Sequence, residues 1–160
     1  AQWNHSAKIF VWLKSFNKKI LDKPQVIVAN KMDLDGINYS LELEEVINAE
    51  YGDIVTPPVN TYPGFTSPST VTETVLKNGA LIINYNYIRN QVVLTINNPE
   101  YVTTETPSGT YYYDRKITLT AIDRDGYNFD SWVSGETTNT ITFNIIEDTT
   151  KEILTNAINI

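Results

Sequence analysis

Apolar and polar residues alternate along residues 117–121, where Ile117, Leu119 and Ala121 interleave with Thr118 and Thr120. A period of two predicts a half-buried strand. Asp123, Arg124, Asp125 and Gly126 follow as a turn, with Gly126 able to take positive φ, in what reads as a hairpin. Tyr127, Phe129 and Trp132 come next as a cluster of rings, each able to bury roughly 150–250 Å². Ser134, Gly135 and Glu136 form a second turn, after which Ile141 and Phe143 resume the alternation. A small β-domain can be organised around these rings.

The same period recurs upstream. Residues 25–29 (QVIVA) predict a short apolar strand running into a polar turn at Asn30, and Tyr39, Leu41 and Leu43 predict another strand. Residues 70–75 and 80–87 flank Asn78 and Gly79, a pair that predicts a β-hairpin over 70–88. Residues 92–96 alternate again, and Asn98 with Pro99 ends that strand. The last residues, TKEILTNAINI, predict a final strand whose pairing stays open. One segment has a different period. Ile9, Leu13, Phe16 and Ile20 recur at helical spacing, Trp3 and Trp12 extend their face, and Pro24 stops the run, so residues 1–21 predict a helix. The expected class is α+β, mostly β. The N-terminal helix and short strand (1–34) precede two small β-grasp-like or sandwich-like modules, 35–90 and 91–160.

Charge separates the first segment from the rest. Residues 1–34 carry six Lys and two Asp, a net of +4, whereas residues 35–160 carry six basic and seventeen acidic residues, a net of −11. The overall charge of −7 argues against a nucleic-acid partner, which needs a basic footprint. No apolar run approaches the ~20 residues of a membrane span. The absence of cysteine removes disulfides, thiolate metal sites and cysteine nucleophiles together.

Candidate chemistry is sparse. His5 is the single histidine and has neither Cys nor a carboxylate beside it, so no catalytic or metal-binding role is assigned to it. Asp123, Asp125 and Asp130 lack the spacing of a calcium loop and read as turn-stabilising side chains. No catalytic residue, metal site or cofactor is expected. The triplet Tyr111, Tyr112 and Tyr113 carries two readings. A cross-strand aromatic ladder is favoured because such pairs stabilise sheets. The alternative is that at least one ring is exposed and anchors a sugar or a protein. For Ile9, Leu13, Phe16 and Ile20, the alternatives are packing on the body of the protein, docking on a partner assembly, or lying on an anionic surface.

Two resemblances bear on function. The stretch KSFNKKILDKPQVIVANKMDL resembles the guanine-specificity region of Obg-family GTPases. That resemblance implies guanine recognition by Asn30 and Asp33, with Lys31 packed against the nucleotide. No Gly in the chain is followed by Lys, so the phosphate-binding loop is missing, and the DxxG of residues 123–126 comes after NKMD instead of before it. The second resemblance is broader. Gly64 with Phe65, Asn78 with Gly79, and the run Tyr85 to Asn90 are similar to mucin-binding-protein-like and internalin-type modules of Gram-positive surface proteins. From Asn98-Pro99 to about residue 156 the chain resembles a divergent internalin-type B-repeat through Ser108-Gly109, Tyr111, Leu119 to Ala121, Gly126-Tyr127, Phe129, Trp132 and Thr142-Phe143. Asp114, Arg115 and Lys116 depart from that pattern, because a Gly-containing turn is expected there.

The B-repeat resemblance implies a non-catalytic, extracellular module at the cell surface that spaces, displays or binds, with a protein or glycan partner. The alternative is a structural virion component, such as a capsid decoration or fibre domain, docked to a larger assembly through the N-terminal segment. A GTPase fragment is the third reading.

Overall fold

The computed structural model describes residues 25–34, 38–77 and 80–158. These divide into two compact units, one within 25–62 and 66–88, the other within 63–65 and 89–158. In chain order the first strands are β1 (Gln25–Asp33), β2 (Tyr39–Asn48), β3 (Ile54–Val55), β4 (Phe65–Thr66), β5 (Glu73–Thr74) and β6 (Ala80–Arg89). They are followed by β7 (Gln91–Ile96), β8 (Val102–Thr103), β9 (Gly109–Tyr112), β10 (Arg115–Ala121), β11 (Tyr127–Trp132), β12 (Thr140–Ile145), β13 (Thr149–Lys151) and β14 (Ile153–Ala157). A single 3-10 turn, Pro99–Tyr101, is the only helical element among the described residues.

The expected α+β class is therefore corrected to all-β over the described residues. A β-grasp would set a helix across its sheet, and neither unit has one among those residues. The abundant Thr, Val, Ile and Tyr suit pleated strands throughout. The helix expected over 1–21, with Ile9, Leu13, Phe16 and Ile20, lies outside the described residues, as does His5.

In the first unit β1 is central, antiparallel to β2 and parallel to β6. Its apolar run suits a strand covered on both faces, and every residue from Val26 to Asp33 is buried. Along β6, Ile83, Tyr85 and Tyr87 are buried while Asn84, Asn86 and Ile88 face outward. The two tyrosines pin the irregular segment beside them. The Tyr85 hydroxyl donates to the Pro57 carbonyl (2.7 Å) and accepts from the Val71 amide (3.2 Å). Tyr87 accepts from the Asn60 amide (2.9 Å) and meets the Tyr62 ring edge-on at 4.8 Å.

The hairpin expected over 70–88 does not form. The exposed, polar β5 pairs instead with β3, and the apolar β6 takes the interior place beside β1. Burial decided the pairing over the local turn signal.

In the second unit three small sheets share one core. Their orders are β12-β10-β8, β11-β14 and β13-β7-β9. The core gathers Val92, Leu94 and Ile96 from β7, Ile117, Leu119 and Ala121 from β10, and Ile141 and Ile145 from β12, together with Trp132 and Ile153. β7, β10 and β12 bury alternate residues, as the period of two predicts.

Trp132 is fully buried, donates its indole N–H to the Thr138 carbonyl (3.0 Å) and lies 6.0 Å from the half-buried Phe129 ring. Tyr127 is 44% exposed and stands apart from that ring cluster. The turn at Asp123 to Gly126 is tight: Arg124 and Tyr127 exchange backbone hydrogen bonds of 3.1 and 2.8 Å, and Gly126 has φ 86°. It does not close a hairpin. It carries the chain from β10, paired with β12 and β8, to β11, paired with β14. Asp114 takes φ 68° in the turn before β10, a conformation Asp tolerates better than most residues, and so fills the place where glycine was expected.

Candidate functional site

The NKMD residues are the last four of β1 and belong to its paired part, between β2 and β6. The strand continues through them to Asp33, and the β1–β2 register shifts between Asn30 and Lys31. Asn30 is fully buried. Its amide Nδ2 donates to Glu45 (3.4 Å), and its carbonyl oxygen accepts from the Tyr87 hydroxyl (3.1 Å). Lys31 and Asp33 are buried as well. Burial lowers the Lys31 pKa and is the main cause that raises that of Tyr87. Side chains occupied in this way, between two neighbouring strands, do not present a guanine-reading edge.

The tyrosine triplet is divided among separate environments. Tyr111 stands opposite Val92, packs against the core and donates its hydroxyl to the Pro107 carbonyl (2.7 Å). Tyr112 stands opposite Gln91. Tyr113 follows the end of β9, and its ring packs on Gly64. All three are half-buried.

A different surface gathers polar and charged groups. On β10 the side chains of Thr118 and Thr120 point away from the core, as the buried alternation at Ile117, Leu119 and Ala121 requires. Their hydroxyls pair across the ladder with Thr142 and Thr140, each at 3.0 Å. The Thr104 hydroxyl donates to the Thr118 carbonyl (2.8 Å). Thr118, Thr120 and residues 103–106 line an open cleft of about 670 Å³, with Arg89, Arg115 and Lys116 as its basic members and Glu105 and Asp114 as its acidic ones.

Three of the six basic residues in 35–160 thus meet in one place, against two of the seventeen acidic ones. Arg89 also lies over the Phe65 ring, 5.6 Å from its centroid. Asp114 accepts from the Asn144 amide (2.8 Å), which occupies part of its carboxylate. A hydroxyl-lined surface with concentrated positive charge suits a hydrated anionic polymer.

Sequence reasoning did not single out this cleft. Arg115 and Lys116 registered only as a departure from an expected turn, and Arg89 only as part of a family pattern. The signal in the sequence was limited to the adjacent Arg115 and Lys116 at the start of a Thr-rich strand, within the acidic segment 35–160.

The second unit is thus an all-β unit of short, Thr-rich strands around a tryptophan, with no helix beyond the 3-10 turn among its described residues. Residues 92–153 match the family model described as Divergent InlB B-repeat domain. The matched span takes in β7 from Val92 on, the strands β10, β11 and β12, and the cleft threonines. The mucin-binding-protein-like resemblance of the first module lies outside it, and nothing supports the Obg resemblance. Searches of curated proteins and of solved structures gave no match. Among the described residues no helix is long and apolar enough to cross a membrane.

Proposed function

We propose that the chain is a non-catalytic module displayed outside the cell, where it spaces or holds surface components. The carrying observation is the match of residues 92–153 to the divergent B-repeat model, on a unit whose buried groups are dominated by core packing. The binding role falls to the cleft between β10 and residues 103–106, and its partner is an anionic glycan. Carboxylate or phosphate groups would meet Arg89, Arg115 and Lys116, while sugar hydroxyls would meet the threonines. The other acidic residues of 35–160 repel such a polymer, which favours docking at the basic place within that segment.

The test uses polygalacturonate as the acidic probe and dextran as the neutral one, titrated into the full chain. Polygalacturonate should bind, and added salt should weaken the binding, because exposed charges are screened over about 10 Å at 0.1 M. The pair Arg115→Ala and Lys116→Ala should remove most of the affinity, whereas Lys77→Ala should not. Equal binding of dextran, or undiminished binding by the double variant, would contradict the reading.

A further inference from the structure

We infer that the second unit is a mechanical clamp, which bears tension applied along the chain by loading its first strand, β7, in shear against β13. This deepens the spacing role proposed above, and the force it predicts is a property of the unit wherever the chain is displayed.

β7 is the first strand of the 89–158 segment, and it runs parallel to β13, close to the end of that segment. The register pairs Leu94 with Thr149, Thr95 with Thr150 and Ile96 with Lys151. When β7 is pulled from its N-terminal side and β13 from its C-terminal side, the two parallel strands are drawn in opposite directions along their own axes. All the bonds between them are then stretched together. An antiparallel pair pulled from one end instead opens one bond at a time.

The seam is longer than its three ladder pairs. Before it, the Val93 amide donates to Asp148 Oδ1 (2.8 Å). Beyond it, the Asn97 amide donates to the Lys151 carbonyl (2.9 Å), and the Asn97 side chain donates to Glu152 Oε2 (2.9 Å). Asn98 closes the seam by bonding both backbone groups of Ile153: its Nδ2 donates to the carbonyl (3.0 Å), and its Oδ1 accepts from the amide (3.3 Å). Asn98 reaches this position with φ 36°, a left-handed conformation that Asn adopts more readily than most residues.

The downstream side is anchored too. β14 is antiparallel to β11, with Ala157 opposite Tyr127 and Ile153 opposite Trp132. The Ile158 amide donates to the Gly126 carbonyl (2.8 Å), and the Val133 amide to the Glu152 carbonyl (2.8 Å). Tension entering after Ala157 therefore reaches the seam through a strand that is itself paired along its length. Leu94 and Ile96 place β7 in the apolar core and Ile153 does so for β14, just beyond β13, so sliding β7 along the seam also drags core side chains.

The test is single-molecule pulling of the full chain. The natural sequence has no cysteine, so pairs of introduced cysteines give unique attachment points. Gln91→Cys with Ile158→Cys loads the seam in shear. Lys116→Cys with Asn144→Cys sits on directly opposed residues of the antiparallel β10–β12 ladder and peels it from one end. Forced unfolding reports the unfolding barrier, so the comparison is made at one loading rate. The first geometry should rupture at the higher force and release about 220–240 Å of extended chain, less the starting separation, as expected for the enclosed residues. Asn98→Ala should lower the shear force. Asp148→Ala alters an exposed residue and provides a second variant should Asn98→Ala fail to fold. Equal rupture forces in the two geometries, or shear forces unchanged in every variant that folds, would overturn the inference. Failure of surface display would leave these forces as they are.

Discussion

The ring of Tyr113 occupies the space that a Cβ on Gly64 would fill, and Gly64 holds φ 76°. Asn90 ties the two together, since its amide donates to the Gly64 carbonyl (2.9 Å) and its own carbonyl accepts from the Tyr113 amide (2.8 Å). Gly64→Ala should therefore cost about 2–4 kcal/mol, from a left-handed conformation and from overpacking. Adding Tyr113→Ala should recover the packing part, so that the double variant is less destabilised than the sum of the single ones. Denaturant midpoints of the four proteins check this, and strict additivity would show that the ring and the glycine are independent.

Trp132 offers the corresponding test for the core. Trp132→Ala should cost about 3–5 kcal/mol, as large aromatic truncations in cores do. Trp132→Phe should cost less, because it keeps an aromatic ring against Phe129 and loses chiefly the indole bond to Thr138. Urea unfolding followed by circular dichroism measures both, and an unchanged midpoint for Trp132→Ala would place the indole outside the core.

The acid limit of stability has an identifiable contributor. Glu136 is held below its ordinary value of 4.5, first by a hydrogen bond from Ser134 and also by the charge of Lys151, whose Nζ lies 3.3 Å from its carboxylate. A depressed folded-state pKa gives stability that is fully present above the unfolded value and is lost as pH falls through the folded one. The melting midpoint should therefore drop as pH is lowered from about 4.5 through the folded-state pKa. Glu136→Gln should flatten part of that drop while lowering stability at neutral pH. A variant with the wild-type acid profile would remove Glu136 as a contributor.

Strands were legible where alternation alone decides burial. Residues 117–121 and 92–96 lie in β10 and β7 with the expected faces buried. Pairing was much less legible. The hairpins read at Asn78-Gly79 and at Asp123 to Gly126 both fail, because the following strands find partners distant in sequence: β6 beside β1, and β11 beside β14. A turn signal acts on four residues, while the choice of neighbour depends on which faces the whole sheet can bury. The same limit explains Asn30, Lys31 and Asp33. Their polar side chains read as a turn, yet the flanking β2 and β6 supply enough pairing to draw them into a strand. The cleft was illegible for a simpler reason: its cations stand at positions 89, 115 and 116 and meet only once the chain folds.

Display outside the cell is tested most directly by labelling intact producing cells with antibodies raised against the folded chain. The account predicts that intact cells label as strongly as permeabilised ones, and that external protease removes the signal. Labelling only after permeabilisation, or labelling confined to released virus particles, would contradict it.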